Sequence, residues 1–153
     1  VNGLGERAGN APLEEVVLGL FQCHGIDAGI DLKGFPRVSE LVACASGRPV
    51  PWQKSVVGEG AFAHESGVHI DGLIKNPDNY QGFDPGLVGR QHRFVLGKHS
   101  GKVGVQAVYA SLGERIADAE AARILDSVRD FVNAAKRPPS SQELMTLLEG
   151  ARH

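Results

Sequence analysis

The chain has 153 residues, of which 42% are hydrophobic and 22% charged. That balance excludes a disordered or collagen-like protein, and folding at this length buries roughly 70% of the unfolded surface. Sixteen Lys and Arg against 18 Asp and Glu give a net charge of −2, with no basic stripe to hold nucleic acid. No apolar run approaches the ~20 residues that span a bilayer, and nothing reads as a signal peptide. The two cysteines, Cys23 and Cys44, fit a reduced cytoplasmic protein and are expected as buried thiols. Glycine is abundant, at 20 residues, against a usual share of about 7%.

Val1 to Gly5 read as the tail of a strand. A helix is expected over 11–24, capped by Asn10, with Leu13, Val16, Val17, Leu20 and Phe21 on one face and Gly25 as its stop. A second is expected from Pro36 to Ala45, with Val38, Leu41 and Val42 inward and Gly47 as terminator. The proline- and glycine-containing stretch Arg48–Gly60 reads as a connector anchored by Trp52. Ala61–Lys75 reads as a loop entering a short helix, and Asn76–Gly89 as a series of turns. Arg93–Leu96 is a candidate strand and Gly101–Leu112 a helix interrupted by Gly104. Asp118–Lys136 places Ala122, Leu125, Val128, Phe131, Val132 and Ala135 at helical spacing. Ser140 and Glu143 then form a capping box for a final helix through Leu144, Leu147 and Leu148.

Three short motifs suggest chemistry. Gly3-Leu4-Gly5-Glu6-Arg7-Ala8 matches the dinucleotide pattern G-x-G-x-x-A, but no second βαβ unit follows, which favours a plain tight turn. HESGVH spaces His64 and His69 at i,i+5, which puts the imidazoles about 140° apart on a helix with ~3.6 residues per turn. A joint zinc site is not expected, although either histidine alone could serve as an acid or base. Gly97-Lys98-His99-Ser100-Gly101-Lys102 resembles a phosphate loop, yet it is one residue short between its glycines and has Val103 where Ser or Thr binds Mg²⁺.

The order of three blocks is more specific. VNGLGERAGNAPLEEV, then GEGAFAHESGVHIDGLIKNPDNY, then VLGKHSG, together covering about residues 1–105, resemble the acyl-CoA-dependent synthases that include 2-isopropylmalate and homocitrate synthases. Within that family, HESGVHIDGLIKNPDNYQGFDPGLVG looks most like the homocitrate synthase associated with nitrogenase. Isopropylmalate synthases more typically read Gln at the position of Ile70. The resemblance implies condensation of acetyl-CoA with 2-oxoglutarate to give homocitrate and CoA. The alternatives are condensation with 2-oxoisovalerate, or a non-catalytic helical interaction module.

It also implies a divalent metal (Mg, Mn or Zn) that chelates the keto acid, with Asn10 as the one matching ligand and most others absent from this chain. His69 and Tyr80 match the catalytic pair that the family places over a neighbouring protomer's active site, with His69 as general acid or base. Gly3, Gly5, Glu6 and Arg7, with Ser66 and His99, are the implied substrate and CoA contacts. Neither the family's early Arg-Asp motif nor its late His-x-His occurs here. The expected chain is therefore the C-terminal portion of a longer enzyme, predominantly α, carrying the end of an α/β TIM barrel followed by small helical subdomains. Its segments would be the last barrel strand and helix (1–30), a connector (31–60), the His/Tyr subdomain (61–112) and a C-terminal helical subdomain (113–153). By itself it is expected neither to bind the catalytic metal tightly nor to carry out the condensation. The implied partners are acetyl-CoA, a 2-oxo acid, and a second copy in a homodimer or a separate barrel chain, with no nucleic acid and no membrane. Leu13, Val16, Val17 and Leu20 are expected to be less buried than their pattern demands unless a partner covers them.

Overall fold

A computed structural model describes residues 1–152. The fold is mainly helical, as expected, and no barrel is formed by the described residues. None of their helices is long and apolar enough to cross a membrane. The chain divides into two compact units that interleave along the sequence: 1–63 with 82–92, and 64–81 with 93–153.

In the first unit, α1 (Leu13–His24) starts directly after Pro12 and closes on Gly25, whose left-handed φ of 64° lets its N–H reach the carbonyls of Leu20 and Phe21. α2 (Phe35–Ser46) carries Pro36 in its first turn and closes on Gly47 in the same way. Val17, Leu18, Phe35, Val56, Val57, Phe62 and Val88 form the core. Five expectations are corrected here. Val1–Gly5 is a turn, because Asn2 and Gly3 have φ of 58° and 71°, which no strand accommodates. Asn10 does not cap α1. Pro12 holds the cap position, and the Asn10 Nδ2 donates instead to the Leu4 carbonyl at 2.9 Å.

On α2 the inward residues are Phe35 and Ser39, while Val38 and Leu41 are exposed. Hydrophobic periodicity could not place Ser39 inside, because its burial depends on Asn2: the Ser39 Oγ donates to Asn2 Oδ1 at 2.5 Å, and Asn2 Nδ2 donates to the Ser39 carbonyl at 2.9 Å. Cys23 and Cys44 are both free and exposed, each on the side of its helix opposite the buried residues. Of the α1 residues expected to be under-buried, Leu13 and Val16 are 38% and 46% exposed and Leu20 is half-buried, whereas Val17 belongs to the core at 5%. Trp52 is 55% exposed, yet its ring lies close over Gly60, where a Cβ would meet it at 2.5 Å.

The second unit begins at His64, the last residue of β1 (Ala63–His64), which pairs with β2 (Arg93–Phe94), and the Val95 N–H donates to the His64 carbonyl at 2.9 Å. The helices are α3 (Gly67–Lys75), α4 (Lys102–Ser111), α5 (Asp118–Ala135) and α6 (Ser141–Arg152). Gly104 does not interrupt α4. It is buried where a Cβ would lie 3.1 Å from the Ile70 Cδ1, so its small size lets α4 pack closely on α3. The α5 stripe is Ala121, Ile124, Leu125 and Val128, a spacing of i, i+3, i+4, i+7 set earlier in the helix than the sequence pattern placed it. Phe131, at the far end, is only partly buried and stacks under the Arg137 guanidinium, 5.1 Å from the ring centroid. Tyr109 is fully buried at the centre of this core, where its hydroxyl donates to the Leu144 carbonyl at 2.7 Å and burial pushes its pKa up to about 12.

The capping box before α6 forms as expected. Glu143 accepts the Ser140 N–H at 2.7 Å, and the Ser140 Oγ accepts the Glu143 N–H at 3.3 Å. Arg137 holds both carboxylate oxygens, and this contact, with the Ser140 hydrogen bonds, lowers the Glu143 pKa to about 2. A depressed carboxylate stabilises the fold above its ordinary value of 4.5, and that contribution is lost as pH falls towards 2. Glu143→Gln is therefore expected to lower stability at pH 7, with the deficit closing across that interval when denaturation is followed at a series of pH values. A deficit independent of pH would assign the effect to geometry rather than charge.

Candidate active site

The second unit brings the two strongest candidates into contact. On α3, Ile70 and Leu73 are buried, and this inward face turns Val68 and His69 outward. After α3 the chain turns back through Pro77–Asn79, a 3-10 turn nucleated by the Asn76 side chain accepting the Asp78 N–H at 3.1 Å. The Asn79 Nδ2 donates to the Gly72 carbonyl at 3.1 Å, which ties this turn to the helix. Tyr80 consequently lies beside His69, with ring centroids 4.3 Å apart and planes inclined by 36°. Both rings remain exposed, so a histidine and a phenol are presented together on one surface.

At the start of α3, two sequence blocks separated by some thirty residues are joined by hydrogen bonds. The Glu65 carboxylate accepts the His99 N–H at 2.9 Å and rests on Gly97, where a Cβ would come within 2.3 Å of it. The Ser100 Oγ donates to the Glu65 carbonyl at 3.2 Å and accepts the Gly97 N–H at 2.9 Å, and the Gly67 N–H donates to the His99 carbonyl at 3.3 Å. The loop that looked like a phosphate-binding motif is thus a clasp that fixes the start of α3. Ser66 and His99 share an open groove of about 450 Å³ with Asp71, Gly101 and Lys102. His64 lies in β1 and His69 in α3, and the His64 ring packs 6.4 Å from that of Phe94.

The remaining candidates belong to the first unit. The Asn10 N–H closes a loop by donating to the Gly3 carbonyl at 3.0 Å, and the Arg48 Nη1 donates to the Gly5 carbonyl at 3.0 Å. Gly9, with φ of 102°, is indispensable to this loop, since a Cβ there would stand 2.2 Å from the Gly3 oxygen. Glu6 and Arg7 are exposed on the loop. Among the described residues no group of three or more His, Cys, Asp or Glu side chains is placed to hold a metal ion. Asn10 fits as a single neutral oxygen donor, because its amide nitrogen is engaged by Leu4 and its Oδ1 is left for a ligand.

Sequence reasoning missed the contacts made by Ser100, Gly72 and Asn79, whose only sequence signal was membership of the three family-like blocks.

Comparison with known proteins decides the family. A model of the homocitrate synthase post-HMGL domain-like family matches residues 56–136, more than half the chain and the stretch that contains His69, Tyr80 and the clasp. The chain belongs to this family. It is 49% identical over 149 residues to 2-isopropylmalate synthase 2 of Caldanaerobacter subterraneus subsp. tengcongensis, covering 97% of this chain and 39% of that protein. Homocitrate synthase 1 of Nostoc sp. is 45% identical over all 153 residues, which span 41% of it. The (R)-citramalate synthase of Methanocaldococcus jannaschii is 43% identical over 136 residues, 89% of this chain and 28% of the relative. The chain thus spans about two fifths or less of the length of these relatives.

Proposed function

We propose that this chain is the C-terminal portion of an enzyme that condenses acetyl-CoA with a 2-oxo acid, and that the acid is 2-oxoglutarate, giving homocitrate and CoA. The observation that carries the reading is the exposed His69–Tyr80 pair, built by the family-matched segment on a helix whose start the Glu65–His99–Ser100 clasp fixes. His69 acts as general acid and base at the acetyl thioester. It hydrogen-bonds the thioester oxygen as a base takes a methyl proton. The resulting enolate forms the new carbon–carbon bond to the keto carbon of the 2-oxo acid, and the alkoxide so formed takes the proton back from that base. Hydrolysis of the thioester then releases CoA. Tyr80 donates a hydrogen bond beside His69 and limits its ring to one orientation. Ser66 and His99 line the groove at the start of α3, while Gly3, Gly5, Glu6 and Arg7 form a second loop for CoA.

Asn10 supplies one ligand to a divalent cation whose other donors lie outside this chain. When bound, that cation polarises the keto carbonyl. The pair serves a barrel in a homodimer, which agrees with the exposure of both rings. The deciding experiment assays a full-length enzyme carrying this segment with acetyl-CoA and each of 2-oxoglutarate, 2-oxoisovalerate and pyruvate. The expected result is a kcat/KM for 2-oxoglutarate at least ~10-fold above the others. The identity to an isopropylmalate synthase makes 2-oxoisovalerate the competing outcome, and a preference for it would replace the homocitrate assignment.

A further inference from the structure

Gly72 sits on α3 three residues after His69, so the two share one face of the helix. It has no role in the chemistry proposed above, yet it is the floor on which the Tyr80 ring lies. A Cβ built there would stand 2.4 Å from Tyr80 Cε2 and 2.7 Å from Cδ2. The ring therefore occupies space that any other residue's Cβ would fill. Because the turn carrying Tyr80 is bonded to the Gly72 carbonyl through Asn79, the ring is brought down onto the helix at the place where the His69 imidazole begins.

We propose that Gly72 is a positioning residue: the missing side chain is what allows Tyr80 to lie against His69 in the orientation the reaction uses. The inference rests on the catalytic reading of the pair. Adding a methyl group at Gly72 requires the ring to retreat by about 1 Å to reach ordinary contact, a displacement that can cost ~10²-fold in rate. Tyr80 is 41% exposed, so the ring has open solvent to move into and the fold is not forced to break. Alanine also forms helix better than glycine, so Gly72→Ala should leave α3 intact or firmer. Loss of activity and loss of stability are therefore expected to separate.

The test compares Gly72→Ala, Asn79→Ala and Gly150→Ala in the full-length enzyme. Gly150 is the control, an exposed glycine in α6 where a Cβ meets nothing within 4 Å. Gly72→Ala is expected to lower kcat by about 10²-fold with a much smaller change in KM, at an unchanged or raised melting temperature. The phenol beside His69 is expected to shift its Cε1–H resonance upfield, and in Gly72→Ala that resonance should move downfield towards its position in Tyr80→Leu. Asn79→Ala should move both readouts in the same direction to a lesser extent, and Gly150→Ala should move neither. If Gly72→Ala fails to fold, Asn79→Ala provides the same two readouts without adding bulk, and an unshifted resonance with normal kcat there overturns the proposal. Normal kcat in Gly72→Ala while His69→Ala is inactive also overturns it and leaves the catalytic reading standing. Full activity in His69→Ala removes the catalytic reading itself, and the positioning role with it.

Discussion

His69→Ala in the full-length enzyme is expected to lower kcat by about 10²–10⁴-fold, the usual loss when a positioned general acid or base is removed. The fold should tolerate the change. His69 is exposed on α3, and the helix is held by the buried Ile70 and Leu73. Its ring contact with Tyr80 is worth no more than about 1.5 kcal/mol, so the melting temperature should shift little. Tyr80→Phe is the informative companion. It keeps the stacked ring and removes only the hydroxyl, so it should cost less than His69→Ala if the histidine carries the proton. Near-normal turnover in His69→Ala, measured under saturating acetyl-CoA, would show that the acid–base group lies elsewhere.

The second large effect concerns stability rather than chemistry. Glu14 is a carboxylate only 1% exposed, inside the first unit at the base of α1. It accepts the Asn2 N–H through both oxygens, at 3.0 and 3.1 Å, and its nearest cation is the Lys54 Nζ at 3.4 Å, which also pairs with Glu15. Lys54→Met removes the positive charge while keeping most of the hydrophobic stem, leaving a buried carboxylate uncompensated. The expected cost is about 3–5 kcal/mol, read as a lower denaturation midpoint. Glu15→Ala removes the more exposed partner of the same lysine and should cost no more than about 1 kcal/mol. Equal losses in the two variants would mean that Lys54 stabilises the unit by packing and not by compensating Glu14.

Much of the helical plan was legible in the sequence. Gly25 and Gly47 ended α1 and α2 because a left-handed residue is needed there, and the Ser140–Glu143 box opened α6 because its bonds are local. Burial was less legible wherever polar partners decide it. Ser39 and Glu14 lie inside because Asn2 satisfies one and Asn2 with Lys54 the other, contacts between residues far apart in the chain. Cys23 and Cys44 went the other way, since an apolar neighbourhood in sequence does not say which face of a helix is turned inward.

The candidate site divides along the same line. His69 and Tyr80 were recognisable from their blocks, and their roles followed from resemblance alone. That the two rings touch, that Gly72 makes room for one of them, and that Glu65 and Ser100 lock the loop at the start of α3 could not be read from spacing.

By itself, then, the sequence determined the family, the helical character and the helix stops, and it named His69 and Tyr80 as candidates, because each depends on local periodicity, capping chemistry or a block of adjacent residues. Tertiary structure alone decided which unit each segment joins, so that 64–81 packs with 93–153 while 82–92 returns to the first unit. It also decided that a glycine and an asparagine place the phenol on the histidine. These outcomes depend on close approach between residues that only folding brings together. Part of the glycine excess has a matching explanation: at Gly9, Gly72 and Gly97 a Cβ would stand where another group already is.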